Sequence, residues 1–130
     1  MKLQKPLLLA LAAITLGAPL TASAYEGNWK RGDIYYRMVC TDCHRSQPCG
    51  PIAPNSKTRA EWKAYLDADK HAKGKEALNS YFGKAFRASI AGKNKAAAKF
   101  ADVPDAELQA DVEALLMRSA KDGDAPTGCR

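Results

Sequence analysis

Apolar side chains recur every three or four residues in several stretches of this chain, which is the spacing of one face of a helix. The first such stretch runs from about Trp29 to Val39. Asn28 can cap it, because an asparagine side-chain oxygen accepts a backbone N–H of the first turn. The apolar positions expected to face inwards are Ile34, Tyr35 and Met38. Alternating strand patterns and internal repeats are absent from the sequence, which therefore predicts an all-α fold.

Two further helices are predicted in the middle of the chain. One begins after Ser56 or Thr58, either of which can cap it, and reaches about Lys70. Its apolar face consists of Trp62, Tyr65 and Leu66. The other runs over residues 77–91, and the lysine-rich stretch after it, through Lys99, is predicted to be a solvated turn. The apolar residues of this third helix are Leu78, Tyr81, Phe82, Phe86 and Ile90.

The last helix is predicted to start at Pro104, since proline suits the first helical position and the neighbouring acids suit the positive end of the helix dipole. Its apolar stripe consists of Leu108, Val112, Leu115 and Leu116. Gly32 lies inside the first helix, where glycine costs about 1 kcal/mol against alanine. Close approach of another helix is the usual reason for that cost. We expect the last helix to cross there, and the tail from Gly123 to be loop.

Residues 1–24 have the composition of a secretory signal peptide. Two lysines provide a positive start, residues 7–14 form a short apolar run, and residues 22–24 are the small residues of a cleavage site. The mature chain is predicted to begin at Tyr25 and to form a single periplasmic domain over residues 25–130. A retained membrane anchor is the weaker alternative, because the apolar run is shorter than the roughly 20 residues that a span requires.

The motif Cys40-Thr41-Asp42-Cys43-His44 is C-x-x-C-H, the attachment signature of c-type haem. Two thiols at this spacing can form thioethers with one porphyrin, and the histidine that follows can bind the iron from the proximal side. Export supports this interpretation, because exposed thiols in an oxidising compartment pair or bind something. A thiol oxidoreductase would need the strands of a βαβ unit, and a zinc site would need more usual ligand spacing.

Together with the residues upstream, this motif resembles the class I cytochromes c. In that family a glycine lies eight residues before the first haem cysteine and an aromatic residue four before it, as Gly32 and Tyr36 do here. The phrase from Phe100 to Leu108 is similar to the entry into the last helix of many bacterial members. The resemblance implies crossing N- and C-terminal helices, with the helices wrapped around one covalently bound haem c. It also implies that the carbonyl of Pro51 orients the proximal imidazole.

Three other residues are candidates at the site or near it. Cys49 and Cys129 remain once the motif has taken its two thiols, and cysteine counting predicts a disulfide between them, which the family does not generally have. Trp62 can lie against the porphyrin or donate to a propionate, with core packing as the alternative.

The sixth iron ligand is where this chain departs from the family. Class I members normally take a methionine from the loop before the last helix, and residues 95–100 contain none. Met38 is expected on the proximal side or in the helix–helix core. Met117 is expected on the surface, although a remodelled distal side would let it bind. His71 is the preferred distal ligand, because it follows the second helix in a polar segment able to fold over the haem. A lysine or an open site remains as a further option.

These features favour a periplasmic monohaem cytochrome that shuttles single electrons between redox proteins, and not an enzyme, since the cofactor carries the chemistry. Loss of the two signal-peptide lysines lowers the formal net charge from +6 to +4. This charge suits partners with acidic docking surfaces or, at most peripherally, an anionic membrane. Nucleic acid is not an expected partner. The alternative function is a haem protein with an open or labile distal site that binds or senses a small ligand or has peroxidase-like activity.

Overall fold

The computed structural model describes residues 24–45, 52–72 and 74–128. In these ranges the regular structure is helical and contains no strand, in agreement with the predicted all-α class. The α-helices are α1 (Trp29–Tyr35), α2 (Thr41–Arg45), α3 (Arg59–Asp67), α4 (Lys84–Ile90), α5 (Lys95–Lys99) and α6 (Asp105–Ser119). A π-helical segment (Tyr36–Cys40) joins α1 to α2, and 3₁₀ turns lie at Pro54–Ser56 and Leu78–Phe82. None of the described helices is long and apolar enough to cross a membrane.

The crossing of α1 and α6 is the centre of the fold. A Cβ atom placed on Gly32 would overlap the main-chain carbonyl of Asp111, and one on Gly27 would overlap that of Ala110. Both positions need glycine because the two backbones touch there. The prediction that Gly32 marks a close approach of the last helix is confirmed.

A buried carboxylate holds the same crossing together. Asp111 has no exposed surface, and its Oδ1 accepts hydrogen bonds from the Tyr25 hydroxyl at 2.6 Å and from the backbone N–H of Asn28 at 2.7 Å. Arg31 donates from Nε to Oδ2 of the same carboxylate. A buried charge is tolerated when it is paired and hydrogen-bonded in this way. The residues before α1 are thereby tied to α6.

The contact at Gly32 also decides which side of α1 faces the core. At about 100° per residue, Ile34 lies roughly 200° around the helix from Gly32, on the side away from α6. Ile34 and Met38 are 47% and 48% exposed, whereas Tyr35 is completely buried. The predicted inward positions are therefore wrong for Ile34 and Met38, and Met38 does not lie in the helix–helix core.

The middle of the chain differs from the prediction in three places. α3 ends at Asp67 rather than near Lys70. The helix predicted over residues 77–91 is instead a 3₁₀ turn followed by α4, because the backbone is extended at Gly83. The lysine-rich stretch predicted to be a solvated turn contains α5, which Asn94 caps, and its Ala97 is fully buried.

The apolar stripe of α6 is confirmed, and it forms the floor of one hydrophobic core. The buried apolar residues of this core are Tyr35, Tyr36, Val39, Trp62, Leu66, Leu78, Phe82, Ala97, Phe100, Leu108, Val112, Leu115, Leu116 and Ala120. Arg87 is 1% exposed and ties α4 to the entry of α6 by donating to the Val103 carbonyl at 2.9 Å and to Oδ1 of Asp105 at 2.6 Å. After Gly123 the described tail has no regular structure, as predicted.

Candidate cofactor site

A cavity of about 440 Å³ lies between the N-terminal helical run, α3, α6 and the segment after α3. This volume falls within the range of about 300–1,000 Å³ that is typical of pockets for small molecules and cofactors. Most of its wall is apolar, and the apolar lining includes Val39, Leu66, Leu78, Phe82, Val112 and Leu116. Cys40, Cys43, His44 and His71 line the same cavity. The structure thus brings both cysteines of the motif and both histidines of the chain to one apolar space.

The wall formed by residues 29–45, here called the proximal wall, presents the C-x-x-C-H motif. The backbone N–H of Thr41 donates to the Tyr36 carbonyl five residues earlier, which is the hydrogen bond of a π-helix. Tyr35 and Tyr36, at the start of this segment, are both buried in the core. Such single π turns are rare and are found frequently at functional sites.

The thiols of the motif lie in unequal surroundings. Cys43 is exposed, whereas Cys40 is only partly exposed and packs against the hydrophobic core. Burial raises the pKa of the Cys40 thiol to about 12, and the neighbouring Cys43 contributes in the same direction. Cys40 is therefore a neutral thiol beside an apolar wall near pH 7.

His71 lies opposite the motif, on residues 68–72 and 74–77, which follow α3 and are here called the distal loop. The ring centroids of His44 and His71 are 5.6 Å apart, and the two ring planes cross at 79°. Two imidazoles on opposite sides of one metal ion would have centroids about 6 Å apart, since each metal–nitrogen bond is about 2 Å long. The observed spacing would suit two imidazoles that bind one metal ion from opposite sides. Among the described residues, those of this cavity included, no group of three or more His, Cys, Asp or Glu side chains is placed to hold a bare metal ion.

Both imidazoles are driven towards the neutral form. Burial lowers the pKa of His44, and the positive charge that His71 would carry lowers it further. Burial also lowers the pKa of His71. Neutral imidazole is the form that binds a metal, so the cavity favours the ligating state of both residues near pH 7.

The distal loop is closed at its base. Asp69 has a left-handed backbone (φ 50°), and its Oδ1 accepts the backbone N–H of Asn79 at 2.7 Å. Its carbonyl accepts the backbone N–H of Leu78 at 3.3 Å, and Lys70 and Ala77 form an isolated antiparallel bridge. These contacts bring the two ends of the loop together, which places His71 over the cavity.

The remaining predicted site residues have different positions. Trp62 lines the cavity, and its indole N–H donates to the Pro54 carbonyl at 2.6 Å, so this donor is already engaged within the protein. Met117 packs against the core and is partly buried, rather than at the surface as expected, and it is not among the residues that line the cavity. Pro51, Cys49, Cys129 and residues 1–23 of the predicted signal peptide lie outside the described residues.

The backbone beside the predicted disulfide positions is nevertheless informative. The backbone N–H of Asn55 donates to the Thr127 carbonyl at 3.0 Å, so the C-terminal tail runs beside the 3₁₀ turn at Pro54–Ser56. Cys49 is six residues before Asn55, and Cys129 is two residues after Thr127. Their disulfide stays a prediction.

Three residues of the cavity region were not identified from the sequence. Tyr81 and Lys57 line the cavity, and Gly74 packs against both His71 and Tyr81. Tyr81 was assigned only to an apolar helix face, and Gly74 and Lys57 lie in polar segments without a recognisable motif. Gly74 and Tyr81 lie three and ten residues after His71, and their contacts with it depend on how this segment folds back on itself, which apolar spacing does not report.

Comparison with known proteins adds no further assignment: the chain matches no protein-family model, no curated protein and no solved structure.

Proposed function

We propose that this chain is a periplasmic monohaem c-type cytochrome that carries single electrons between redox proteins. The observation that carries this proposal is the opposition of His44 and His71 across an apolar cavity that Cys40 and Cys43 also line. The donor set is that of a covalently attached haem with two imidazole ligands. When bound, haem c supplies a one-electron iron couple.

Each of the lining residues of the cavity has a separate role in holding the haem. Cys40 and Cys43 provide the two thioether sulfurs, and His44 provides the proximal imidazole. His71 provides the distal imidazole from the other side. The ammonium of Lys57, 5.7 Å from the centroid of the Trp62 ring and at the cavity wall, is placed to interact with the acidic side chains of a haem.

Two protein ligands determine the class of function. With His44 and His71 both bound, no coordination position is left for a substrate, so electron transfer is the activity that remains. An imidazole in place of the usual methionine gives a lower reduction potential. The apolar walls lower the local dielectric constant, and the surface lysines suit redox partners that present acidic docking surfaces.

The test is to express the chain with a c-type haem maturation system and to record visible spectra of the purified protein. We expect haem that stays attached after denaturation and a low-spin ferric spectrum without the far-red band of methionine ligation. His71→Ala should convert the ferric iron to a high-spin state, whereas Met117→Leu, the matched control, should leave the spectrum unchanged. Haem lost on denaturation, a far-red band, or a spectrum insensitive to His71→Ala would each overturn the proposal.

One observation favours a second function, binding of a small ligand at a labile distal position. Nδ1 of His71 is buried and has no hydrogen-bond partner among the described residues. A metal-bound imidazole is normally held by a hydrogen bond from its other nitrogen, which also raises its basicity. Titration of the ferrous protein with carbon monoxide tests this function. Stoichiometric binding within seconds would support it, and an unchanged spectrum would exclude it.

A further inference from the structure

We propose that Gly74 and Tyr81 are positioning residues that hold the His71 ring nearly perpendicular to the His44 ring, and that packing alone sets this orientation. The inference rests on the proposed function, because it concerns the two imidazoles as axial ligands. It adds residues that determine the electronic state of the site without touching the cofactor's iron.

Tyr81 supports one face of His71. The centroid of its ring lies 4.4 Å from that of His71, with the planes tilted by 44°. Phe86 packs on Tyr81 at a centroid distance of 5.0 Å and an angle of 69°. The backbone of Tyr81 is held as well, since the hydroxyl of the fully buried Tyr35 donates to its carbonyl at 2.5 Å. His71 therefore leans on a ring that the core itself fixes.

Gly74 closes the edge of the same ring. A Cβ atom at residue 74 would overlap both Nδ1 of His71 and the hydroxyl of Tyr81. The backbone N–H of Gly74 donates to the His71 carbonyl at 3.2 Å, which keeps the glycine folded back on the histidine. The space around Nδ1 is thus filled by backbone, and Nε2 is the nitrogen left for a ligand in the cavity.

Because Nδ1 of His71 neither accepts nor donates a hydrogen bond among the described residues, packing determines the orientation of its ring. In most metal sites a hydrogen bond from the second nitrogen fixes the rotation of the imidazole about its metal bond. Nδ1 of His71 has no such partner among the described residues. The ring plane is therefore set by Tyr81 on its face and by Gly74 at its edge.

The orientation has a spectroscopic consequence. If His44 and His71 hold one low-spin iron, the π orbital of each imidazole would interact with the iron dπ orbital whose lobes lie along the normal of that ring. Two parallel rings would interact with the same dπ orbital, which would widen the energy gap between the two dπ orbitals of the iron. Rings that cross at 79° act on different orbitals and leave them nearly equal in energy. Low-spin ferric haem with such ligands gives an EPR spectrum with one very large g value instead of three well-resolved ones.

EPR of the ferric holoprotein at low temperature tests the inference, with optical redox titration as the second readout. The wild-type protein should show the large-g signal. Gly74→Ala should shift the largest g value downwards or produce a mixture of signals, together with a shifted potential, because the added Cβ must displace the His71 ring. Gly92→Ala is the matched control, since a Cβ at residue 92 has no atom within 4 Å, and it should change neither readout.

Tyr81 provides a second pair of variants if Gly74→Ala yields no holoprotein. Tyr81→Phe keeps the ring and should retain the large-g signal, whereas Tyr81→Leu removes the ring and should lose it. A wild-type spectrum with three resolved g values, or a large-g signal that survives both Gly74→Ala and Tyr81→Leu, would overturn the inference while leaving two-histidine ligation intact. High-spin or methionine-ligated wild-type iron would instead overturn the proposed function.

Discussion

The proximal wall and the distal loop face the same cavity, but they are held in different ways. The proximal wall is attached to α6 by backbone contact at Gly32 and by hydrogen bonds to the buried carboxylate of Asp111. The distal loop is attached by a few hydrogen bonds at its base and by ring packing around His71. The proximal wall is thus part of the hydrophobic core, whereas the distal loop only packs against it. We therefore expect substitutions in the proximal wall to affect global stability and substitutions in the distal loop to affect local order and ligation.

The largest effect is expected at Gly32. Gly32→Val should lower the free energy of unfolding by about 4 kcal/mol, because α1 and α6 must separate to admit the side chain. Chemical denaturation followed by circular dichroism measures this loss. Gly92→Val is the control, and a comparable loss there would mean that the helix crossing is not the cause.

The second largest loss of unfolding free energy is expected at the buried carboxylate of Asp111. Asp111→Ala leaves the Asn28 N–H and the Tyr25 hydroxyl without their acceptor and leaves Arg31 paired with Glu107 alone, so we expect a loss of about 3 kcal/mol in the same measurement. The exposed Asp102, on the loop before α6, is the control, and Asp102→Ala should be close to neutral. Equal effects of the two substitutions would contradict the special role of Asp111.

The distal loop should respond locally. Asp69→Ala removes the acceptor for the Asn79 N–H and puts alanine at a left-handed backbone position, which should cost about 1–2 kcal/mol. Amide hydrogen exchange should speed up at Leu78 and Asn79 more than in α6, because the loop opens without unfolding the core. Asp69→Asn keeps the acceptor and should have a small effect. Uniform acceleration across the chain would show that the loop and the core open together.

The smallest effect concerns α3, which connects the two sides of the site. Thr58 and Glu61 form a capping box, in which Thr58 Oγ1 accepts from the Glu61 N–H at 3.2 Å and Glu61 Oε2 accepts from the Thr58 N–H at 2.7 Å. Thr58→Ala should cost about 1 kcal/mol of unfolding free energy. A loss below a few tenths of a kcal/mol would mean that this cap contributes little.

The cap also has a pH dependence with a defined sign. The hydrogen bond from the Thr58 N–H lowers the pKa of the Glu61 carboxyl below its ordinary value of 4.5. The charged carboxylate therefore stabilises the folded state above pH 4.5, and this contribution disappears as the pH falls through the lowered pKa. The stability difference between the wild-type protein and Glu61→Gln should shrink between pH 6 and pH 3. A difference that stays constant would show that the charge of Glu61 is not involved.

The buried side of a helix was predictable where the helix has a single apolar stripe that packs against the core. The stripe of α6 and the face of α3 with Trp62 and Leu66 were assigned correctly for this reason. The same reasoning failed for Ile34 and Met38, because apolar residues occur on more than one side of α1 and the contact at Gly32 decides the rotation. Gly83 interrupted a helix that its apolar spacing predicted, and α5 formed in a lysine-rich stretch because Asn94 caps it and Ala97 finds a buried position.

The candidate site divides in the same manner. The proximal residues follow one another in a short motif whose spacing is dictated by covalent chemistry, so the sequence was sufficient to propose them. Gly74 and Tyr81 lie three and ten residues after His71 without any recognisable motif, and only the fold of this segment brings them to the His71 ring.

The sequence by itself therefore determined the helical class, the close approach at Gly32 and the motif Cys40 to His44, because each depends on local spacing or on the conformational needs of a single residue. The tertiary structure alone decided which face of α1 is buried, where His71 lies and at what angle its ring meets that of His44. Those properties arise from contacts between segments far apart in the chain, and no local pattern contains them.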